Sequence, residues 1–402
     1  MVGSRGSASS NSDNLPPDGS LIVPDDYPTI QAAVDNASAG DTVFVRRGTY
    51  YAPHDHVIII DKSLSLIGED PKNTIIDGID KGEYLMGHYV MTWEAIGIYT
   101  SNVTISGFTI RNCNTAISVD EHSFSTSIKI IGNNILNNHI PITVWSGSGF
   151  LISGNNIADN DAGVGNWASN GVISGNNMTG LGVWGCQNVT IKENNLSGKG
   201  FFAGGLSLLD SDNICVYENN ITDNLEFGIQ FERGCNNSAI YNNNIMRNEV
   251  DVFLNNHVFV SFSQVGSGNK VYRNNLIENA QNAFVEHTYP YNISMMDNAI
   301  GNCTDVVLWD NGTVGNYWSD YQSKYPNATE VNASGIGNTP YRIDENNTDH
   351  YPLLLPVDIS AESTPLLPEP EPFPTVPVAI ASTAVVAGIG AALLVYFKKR
   401  KR

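Results

Sequence analysis

The chain is predicted to be all-β: a parallel β-helix of short stacked coils, capped at its start by a small helix and followed near its end by one apolar helix. Three observations carry this. A nine-residue unit with an asparagine pair at its centre recurs as IIGNNILNN, ISGNNIADN, ISGNNMTGL, IKENNLSGK, VYENNITDN, IYNNNIMRN and VYRNNLIEN. Second short apolar runs, such as PITV, GLSL and GIQF, fall between successive copies. One uncharged stretch, VAIASTAVVAGIGAALLVYF at 378–397, stands apart from the repeat.

The second asparagines of the pairs are Asn134, Asn156, Asn177, Asn195, Asn220, Asn244 and Asn275, with a decayed copy at Asn298, at intervals of about 22, 21, 18, 25, 24, 31 and 23 residues. Such a period marks an architecture in which no unit buries its own face and stacked neighbours share one core. Two or three strands per period describe one coil. With degenerate copies at Leu64 and Ile105, about eleven coils stacked about 4.8 Å apart span on the order of 50 Å. The seven asparagines are read as an inward-facing structural ladder. Each passes amide hydrogen bonds to the next coil while its backbone takes the turn conformation that Asn tolerates. The glycosylation sequons on Asn177, Asn195 and Asn220 would then be out of an enzyme's reach.

The remaining segments follow in order. Residues 1–20 are polar and lack a core, so they are expected to be disordered. The β-helix with its cap spans 21–308. In YPTIQAAVDNASAGD, Pro28 lies near a helix start, Ile30, Ala33, Val34 and Ala37 form one stripe, and Gly40 lies beyond the end, which predicts a short helix over the first coil. WDNGTVGNYWSDY and GIGNTPYRIDENNTDHYPLLLP break the period with aromatics and define a C-terminal cap at 309–357. A Pro/Glu-rich stalk at 358–377 leads to the apolar stretch at 378–397, whose twenty residues rise about 30 Å as a helix and match a hydrocarbon core. The basic tail KKRKR at 398–402 orients that helix with its C-terminus cytoplasmic and the bulk of the chain outside. No apolar segment near Met1 would serve as an export signal, so either the true start lies upstream or the topology is inverted, and the upstream start is the expectation.

Composition narrows the partners. The chain has 41 acidic and 21 basic residues, a formal net charge of −20, which repels nucleic acid phosphates. Sequons including Asn36, Asn102, Asn188, Asn292, Asn311 and Asn346 fit an exported glycoprotein. The five cysteines, Cys113, Cys186, Cys215, Cys235 and Cys303, show no CxxC spacing and are expected as small buried hydrophobes. Cys186 and Cys235 fall in one column two coils apart, roughly 9 to 10 Å, too far for a disulfide.

PDDYPTIQAAVDNASAGDTVFVRRGTYY resembles the opening of right-handed β-helix proteins, including pectin-active enzymes. The NNI coils followed by WDNGTVGNYWSDY and GNTPYRIDENNTDHYPL resemble the NosD-type β-helix family over about Leu21 to Pro356. The resemblance implies a right-handed β-helix at a cell surface or in the periplasm, of the kind found in archaeal surface proteins. It also implies copper or calcium, for which the residues themselves give no support, so no cofactor is predicted. Copper wants clustered Cys, Met or His, and the histidines are scattered apart from His54 and His56 in PHDH, where His54, Asp55 and His56 are the only metal candidates. NATEVNASGIGNTPY is too poor in carboxylates for a calcium loop.

Aligning the second strand of each coil predicts an outward column of Asp120, Trp145, Trp167, Trp184, Asp210, Glu232, His287 and Trp309. Flat amphipathic rings at coil spacing suit contact with sugars, and Asp210 with Glu232 is the candidate carboxylate pair for catalysis. Three functions compete. The first is a membrane-anchored surface protein that binds carbohydrate or envelope components on this face without catalysis. The second is a polysaccharide lyase, hydrolase or epimerase acting there. The third is a copper-processing accessory protein, which only the resemblance suggests.

Overall fold

The computed structural model describes residues 15–51, 58–78, 84–85, 88–89, 92–120, 124–198, 204–225, 227–232, 235–248, 260–263, 268–279, 284–286 and 307–359. Within them the chain winds as a right-handed parallel β-helix with three strands to a full coil. The first sheet has eleven strands from Leu21–Val23 to Lys270–Tyr272, the second eleven from Gly48–Tyr51 to Tyr317–Trp318, and the third ten from Ile58–Ile60 to Phe284–Glu286. The degenerate copies at Leu64 and Ile105 take their places as regular coils, because Ser65–Gly68 and Thr104–Ser106 pair in parallel within the first sheet.

The short strands follow from the alternation of the sequence. In the first sheet Ile130, Ile152, Ile173 and Ile191 stack in register at 0–1% exposure, while their neighbours on either side are exposed or half-buried apart from Ser174. Ile135, Ile157, Met178 and Leu196 stack likewise in the second sheet, at 0–2% exposure. Each such side chain contributes about 1.5–3 kcal/mol of burial, and β-branched residues suit the pleated surface.

The corners of the coil turn on residues in the left-handed region. Before the asparagine pairs these are Gly132, Gly154, Gly175, Glu193, Glu218, Asn242 and Arg273, with φ between 54° and 64°. The turn conformation therefore belongs to the residue before the pair and not to the pair itself.

The ladder also differs from the expectation, by one residue. It is the first asparagine of each pair that points inward: Asn133, Asn155, Asn176, Asn194, Asn219, Asn243 and Asn274 are all 0–2% exposed. Asn194 is typical. Its amide donates to Ile173 O at 2.9 Å and to Asn219 Oδ1 at 3.0 Å, while its Oδ1 accepts from the backbone and amide nitrogens of Asn176. The predicted ladder residues open the strands of the second sheet with outward side chains. Asn177, Asn195 and Asn220 are exposed, Asn134, Asn156 and Asn244 half-buried, and Asn275 buried. They still link coil to coil, as in Asn177 to Asn156 and Asn195 to Asn177 at 2.9 and 2.8 Å. The cause is the strand period of two: the isoleucine after the pair must face the core, so the residue before it faces out. The sequon asparagines are thus on the surface, correcting the inaccessibility expected of them.

A further inward ladder, absent from the sequence reading, occupies the next corner. Asn138 donates to Asn160 Oδ1 at 3.0 Å, and after a break the same corner carries Asn224, Asn248 and Asn279, bonded in turn.

Both ends of the coil stack are covered. Helix Ile30–Asn36 starts at Thr29, whose side chain accepts from Ala32 N, and buries Ile30, Ala33 and Val34 against the first coil. At the other end Asn316 takes the next ladder position, accepting from Asn274, and its own backbone N–H donates to Asp349 Oδ2 at 2.7 Å. Trp318 stacks on Tyr341 at 4.0 Å, and Lys324 Nζ lies 4.0 Å from the same ring centre. Asp349 also accepts from Trp318 Nε1 and Tyr351 N, and burial pushes its carboxyl up to about 7.

Cys113, Cys186 and Cys235 are buried and Cys215 is half-buried, none of them in a disulfide. Ser211 separates Cys186 from Cys235, bonded to both, so the two-coil separation holds. Among the described residues no helix is long and apolar enough to cross a membrane. The stalk from 360 onward, the apolar stretch at 378–397, the basic tail, Cys303 and His54, Asp55 and His56 lie outside the described residues.

Candidate functional site

Strand register defines the outward column of the third sheet. Ile98, Val119, Val144, Asn166 and Val183 are in register and face the core, so the residues after them, Tyr99, Asp120, Trp145, Trp167 and Trp184, form the outward rungs. The column continues through Leu209 and the positions of Glu232, Ser263 and Glu286. Four of the predicted residues, Asp120, Trp145, Trp167 and Trp184, therefore stand together, and Glu232 holds a column position.

The rest fall elsewhere. Asp210 misses the column by one residue: Leu206 and Leu208 are buried, which turns Leu209 outward, and Asp210 follows in the corner, exposed, with φ 48°. Asp210 and Glu232 are not consecutive rungs of one column. His287 is outside the described residues, and Glu286 holds that rung. Trp309 is not on the face at all. Leu308 bridges to Lys270 of the first sheet, and Trp309 turns inward beyond the last coil, 1% exposed, with Nε1 donating to Asn347 Oδ1 at 3.2 Å.

The rings pack on one another. Trp145 and Trp167 stack with centroids 4.3 Å apart and planes at 16°, and Trp184 follows at 4.6 Å, tilted by 56°. Room for them comes from small residues two positions back. A Cβ on Gly182 would lie 2.1 Å from the Trp184 ring, and one on Gly165 2.9 Å from Trp167. Trp184 Nε1 reaches Ser207 Oγ at 3.5 Å. Since Trp167 is covered by neighbours on both sides, the open ring of the set is Trp145 at the end, 44% exposed.

Beyond Trp145 the column carries Asp120 and then Tyr99, 41% exposed. The Tyr99 ring lies over Gly97, and a Glu94 carboxylate oxygen shares that spot, 3.2 Å from where a Cβ on Gly97 would stand. Burial raises the Glu94 carboxyl above its ordinary value, with Asp120 adding to the rise and a hydrogen bond from Ser118 opposing it. The Tyr99 phenol is raised by burial and by both carboxylates. The sequence reading missed Glu94 and Tyr99. Tyr99 was findable, because it follows Ile98 as Trp145 follows Val144. Glu94 was not, because only the folded strand brings it back over Gly97.

At the other end of the tryptophans a depression of about 380 Å³ lies against Trp184, between His139, Val164, Leu181, Ser207 and Phe227. His139 Nδ1 at its rim is 3.1 Å from Asp161 Oδ2.

Copper, implied by the resemblance, finds no matching donor set among the described residues, where no three His, Cys, Asp or Glu side chains gather. Cys113 and Cys186 occupy separate coils, and burial pushes both thiols up to about 12, away from the thiolate that would bind a metal. These residues do not fit the metal.

Solved structures of similar shape include the A-module of mannuronan C-5 epimerase AlgE6 from Azotobacter vinelandii, at 17% identity and a TM-score of 0.50 over 72% of this chain and 81% of that one. PfbA, a surface adhesin of Streptococcus pneumoniae, follows at 13% identity and 0.44, covering 64% and 84%. An alginate lyase from Paenibacillus sp. is similar at 13% and 0.40, covering 63% and 95%. At such identities the likeness shows the fold alone. No curated protein matches the chain. The family model described as periplasmic copper-binding protein (NosD) matches residues 34–265, more than half of the sequence, and the chain belongs to the NosD family.

Proposed function

We propose that this protein is a membrane-anchored β-helix of the cell surface or periplasm that binds carbohydrate or a neighbouring envelope component, without catalysis, on the outer face of its third sheet. The observation that carries the reading is the tryptophan column ending in the half-exposed ring of Trp145. An aromatic ring with one open face and an edge N–H is suited to the apolar face and hydroxyls of a sugar. The family description as periplasmic supports an exported chain. The apolar stretch at 378–397 with its basic tail supports the anchor. Binding is favoured over hydrolysis because Asp210 and Glu232, the carboxylates expected to act together, are out of step by one residue.

Retention of the full chain, in mild detergent, on native gels cast with neutral, amino-sugar and uronic acid polysaccharides tests the binding. Retardation by at least one polymer, lost in the Trp145→Ala/Trp167→Ala double variant, is the expected result. Migration unchanged by every polymer would remove the reading. Extraction of the protein from membranes by alkaline carbonate would refute the anchor.

A further inference from the structure

We infer that Asn311 is the acceptor of an N-linked glycan, presented by a turn of the C-terminal cap that holds its side chain ready for transfer. The inference goes beyond sugar binding and rests only on the export part of the reading above, because sequons are glycosylated on exported chains. The sequons differ in what their two ends, the acceptor amide and the hydroxyl two residues on, are doing. Asn36, Asn177, Asn188 and Asn195 donate their side-chain amides to Ala32 O, Asn156 Oδ1, Asn170 Oδ1 and Asn177 Oδ1. For Asn102, Asn220 and Asn346 the hydroxyl belongs to Thr104, Thr222 or Thr348, each half-buried in a strand. In the Asn327 sequon the Thr329 hydroxyl accepts from Asn338, and in the Asn332 sequon the Ser334 hydroxyl donates to Val331 O.

Asn311 is arranged otherwise. Asn311, Gly312 and Thr313 are all exposed and lie outside the strands, and Asn311 Nδ2 has no partner among the described residues. Its Oδ1 accepts three bonds from the residues that follow: the Thr313 hydroxyl at 2.8 Å, and the backbone N–H groups of Thr313 and Val314, each at 3.0 Å. The turn is anchored. Asp310 accepts from Gly312 N at 2.9 Å and from His350 N at 3.1 Å, and Asn311 N donates to Val314 O at 3.1 Å. Gly312 takes φ 91°, which only glycine adopts freely. In the transfer, Nδ2 bonds to the anomeric carbon of a sugar carried on a polyprenyl diphosphate. The bond from that carbon to the diphosphate oxygen breaks with its electron pair, the lipid diphosphate leaves, and one Nδ2 proton passes to a base of the oligosaccharyltransferase. A carboxamide nitrogen is a poor nucleophile because its lone pair is shared with the carbonyl. As its proton departs, negative charge gathers on Oδ1, where three donors already point and stabilise it without rearrangement.

Two measurements test this. In the first, the full chain in mild detergent is incubated with a purified oligosaccharyltransferase that reads Asn-x-Ser/Thr alone and with a polyprenyl-diphosphate-linked oligosaccharide, and intact glycopeptides are sequenced by mass spectrometry. Asn311 is expected to be modified at least about tenfold faster than Asn177 or Asn195. Thr313→Val should abolish the modification. Gly312→Ala keeps the sequon, and its new Cβ meets nothing within 4 Å, so it acts on the turn alone. It should slow transfer to the folded chain by about fivefold or more, whereas synthetic peptides with Gly or Ala at that position should differ by less than about twofold. Melting curves that match wild type separate the turn from the fold. Modification of Asn177 or Asn195 ahead of Asn311, or a rate at Asn311 indifferent to Gly312→Ala, overturns the inference. In the second, protein isolated from the cells that make it should carry a glycan on Asn311. A bare Asn311 there also overturns the inference, and the first measurement locates the fault: modification by the purified enzyme would count against export, and none would count against the turn.

Discussion

Replacing Asn219 by Ala should cost several times more stability than replacing its neighbour Asn220, although both are asparagines of one repeat. Asn219 is fully buried. Its Oδ1 accepts from the backbone N–H and the amide of Asn194, each at 3.0 Å, and its amide donates to Ile191 O, Tyr217 O and Asn243 Oδ1, each at 2.9 Å. Truncation leaves the buried Asn194 N–H without a partner, at about 1–3 kcal/mol, and removes further bonds of about 0.5–1.5 kcal/mol each, some of whose partners keep another. A total of about 3–5 kcal/mol follows. The exposed Asn220 accepts one amide bond from Asn244 at 2.9 Å, and its loss should cost about 0.5–1 kcal/mol. Equilibrium urea unfolding, followed by far-UV circular dichroism and by tryptophan fluorescence, reads both variants against wild type. Coils in a stack can open in steps, so the two probes are compared separately. Equal destabilisation by the two substitutions, or a larger effect at Asn220, would refute the register of the ladder.

Three further outcomes follow from the geometry. Burial holds Asp349 at about 7 in the fold, above the unfolded value, so the folded cap binds an extra proton between the two. Its contribution is whole below about pH 4 and is lost as pH rises to 7, by up to about 4 kcal/mol. Wild-type melting temperature should therefore fall relative to Asp349→Asn over that range, and parallel profiles would contradict it. Gly182→Val should displace the Trp184 ring, which a Cβ would meet at 2.1 Å, and shift the tryptophan fluorescence while far-UV circular dichroism is kept; an unchanged emission spectrum would be the contrary result. Cys113 and Cys186, buried with thiols raised to about 12, should resist iodoacetamide at pH 8 in the native protein and react in urea, and rapid native labelling at either would show the coil open there.

Much of this fold was legible because a solenoid repeats its own instructions. The recurring pair gave the coils, the apolar stripe from Ile30 to Ala37 gave the cap, and the aromatic break at Trp309 gave the far end. Register was harder, since a shift of one residue exchanges the inner and outer faces. That single step misassigned the ladder to Asn134 and its equivalents, and put Asp210 where Leu209 stands. Aligning on asparagine pairs fixes one corner of each coil, whereas the other corners drift with loops of unequal length. Hence the three tryptophans of adjacent coils were placed correctly, and Trp309, beyond the last regular coil, was not. Glu94 was illegible for another reason: its place beside the Tyr99 ring depends on the path of the strand around Gly97 and not on any spacing in the chain.

The inner ladder behaves as a polymer with direction. Every asparagine in it both gives and receives, so in principle each last rung invites another. Asp349 can do only half of this: its carboxylate receives the backbone N–H of Asn316 and has no amide to pass the bond onward, while the amide of Asn316 is taken by the Trp309 carbonyl. A chain whose growth depends on handing an amide N–H onward stops at a residue that has none. The stack is terminated chemically as well as sterically, and a second molecule docking on that end would find no template to extend.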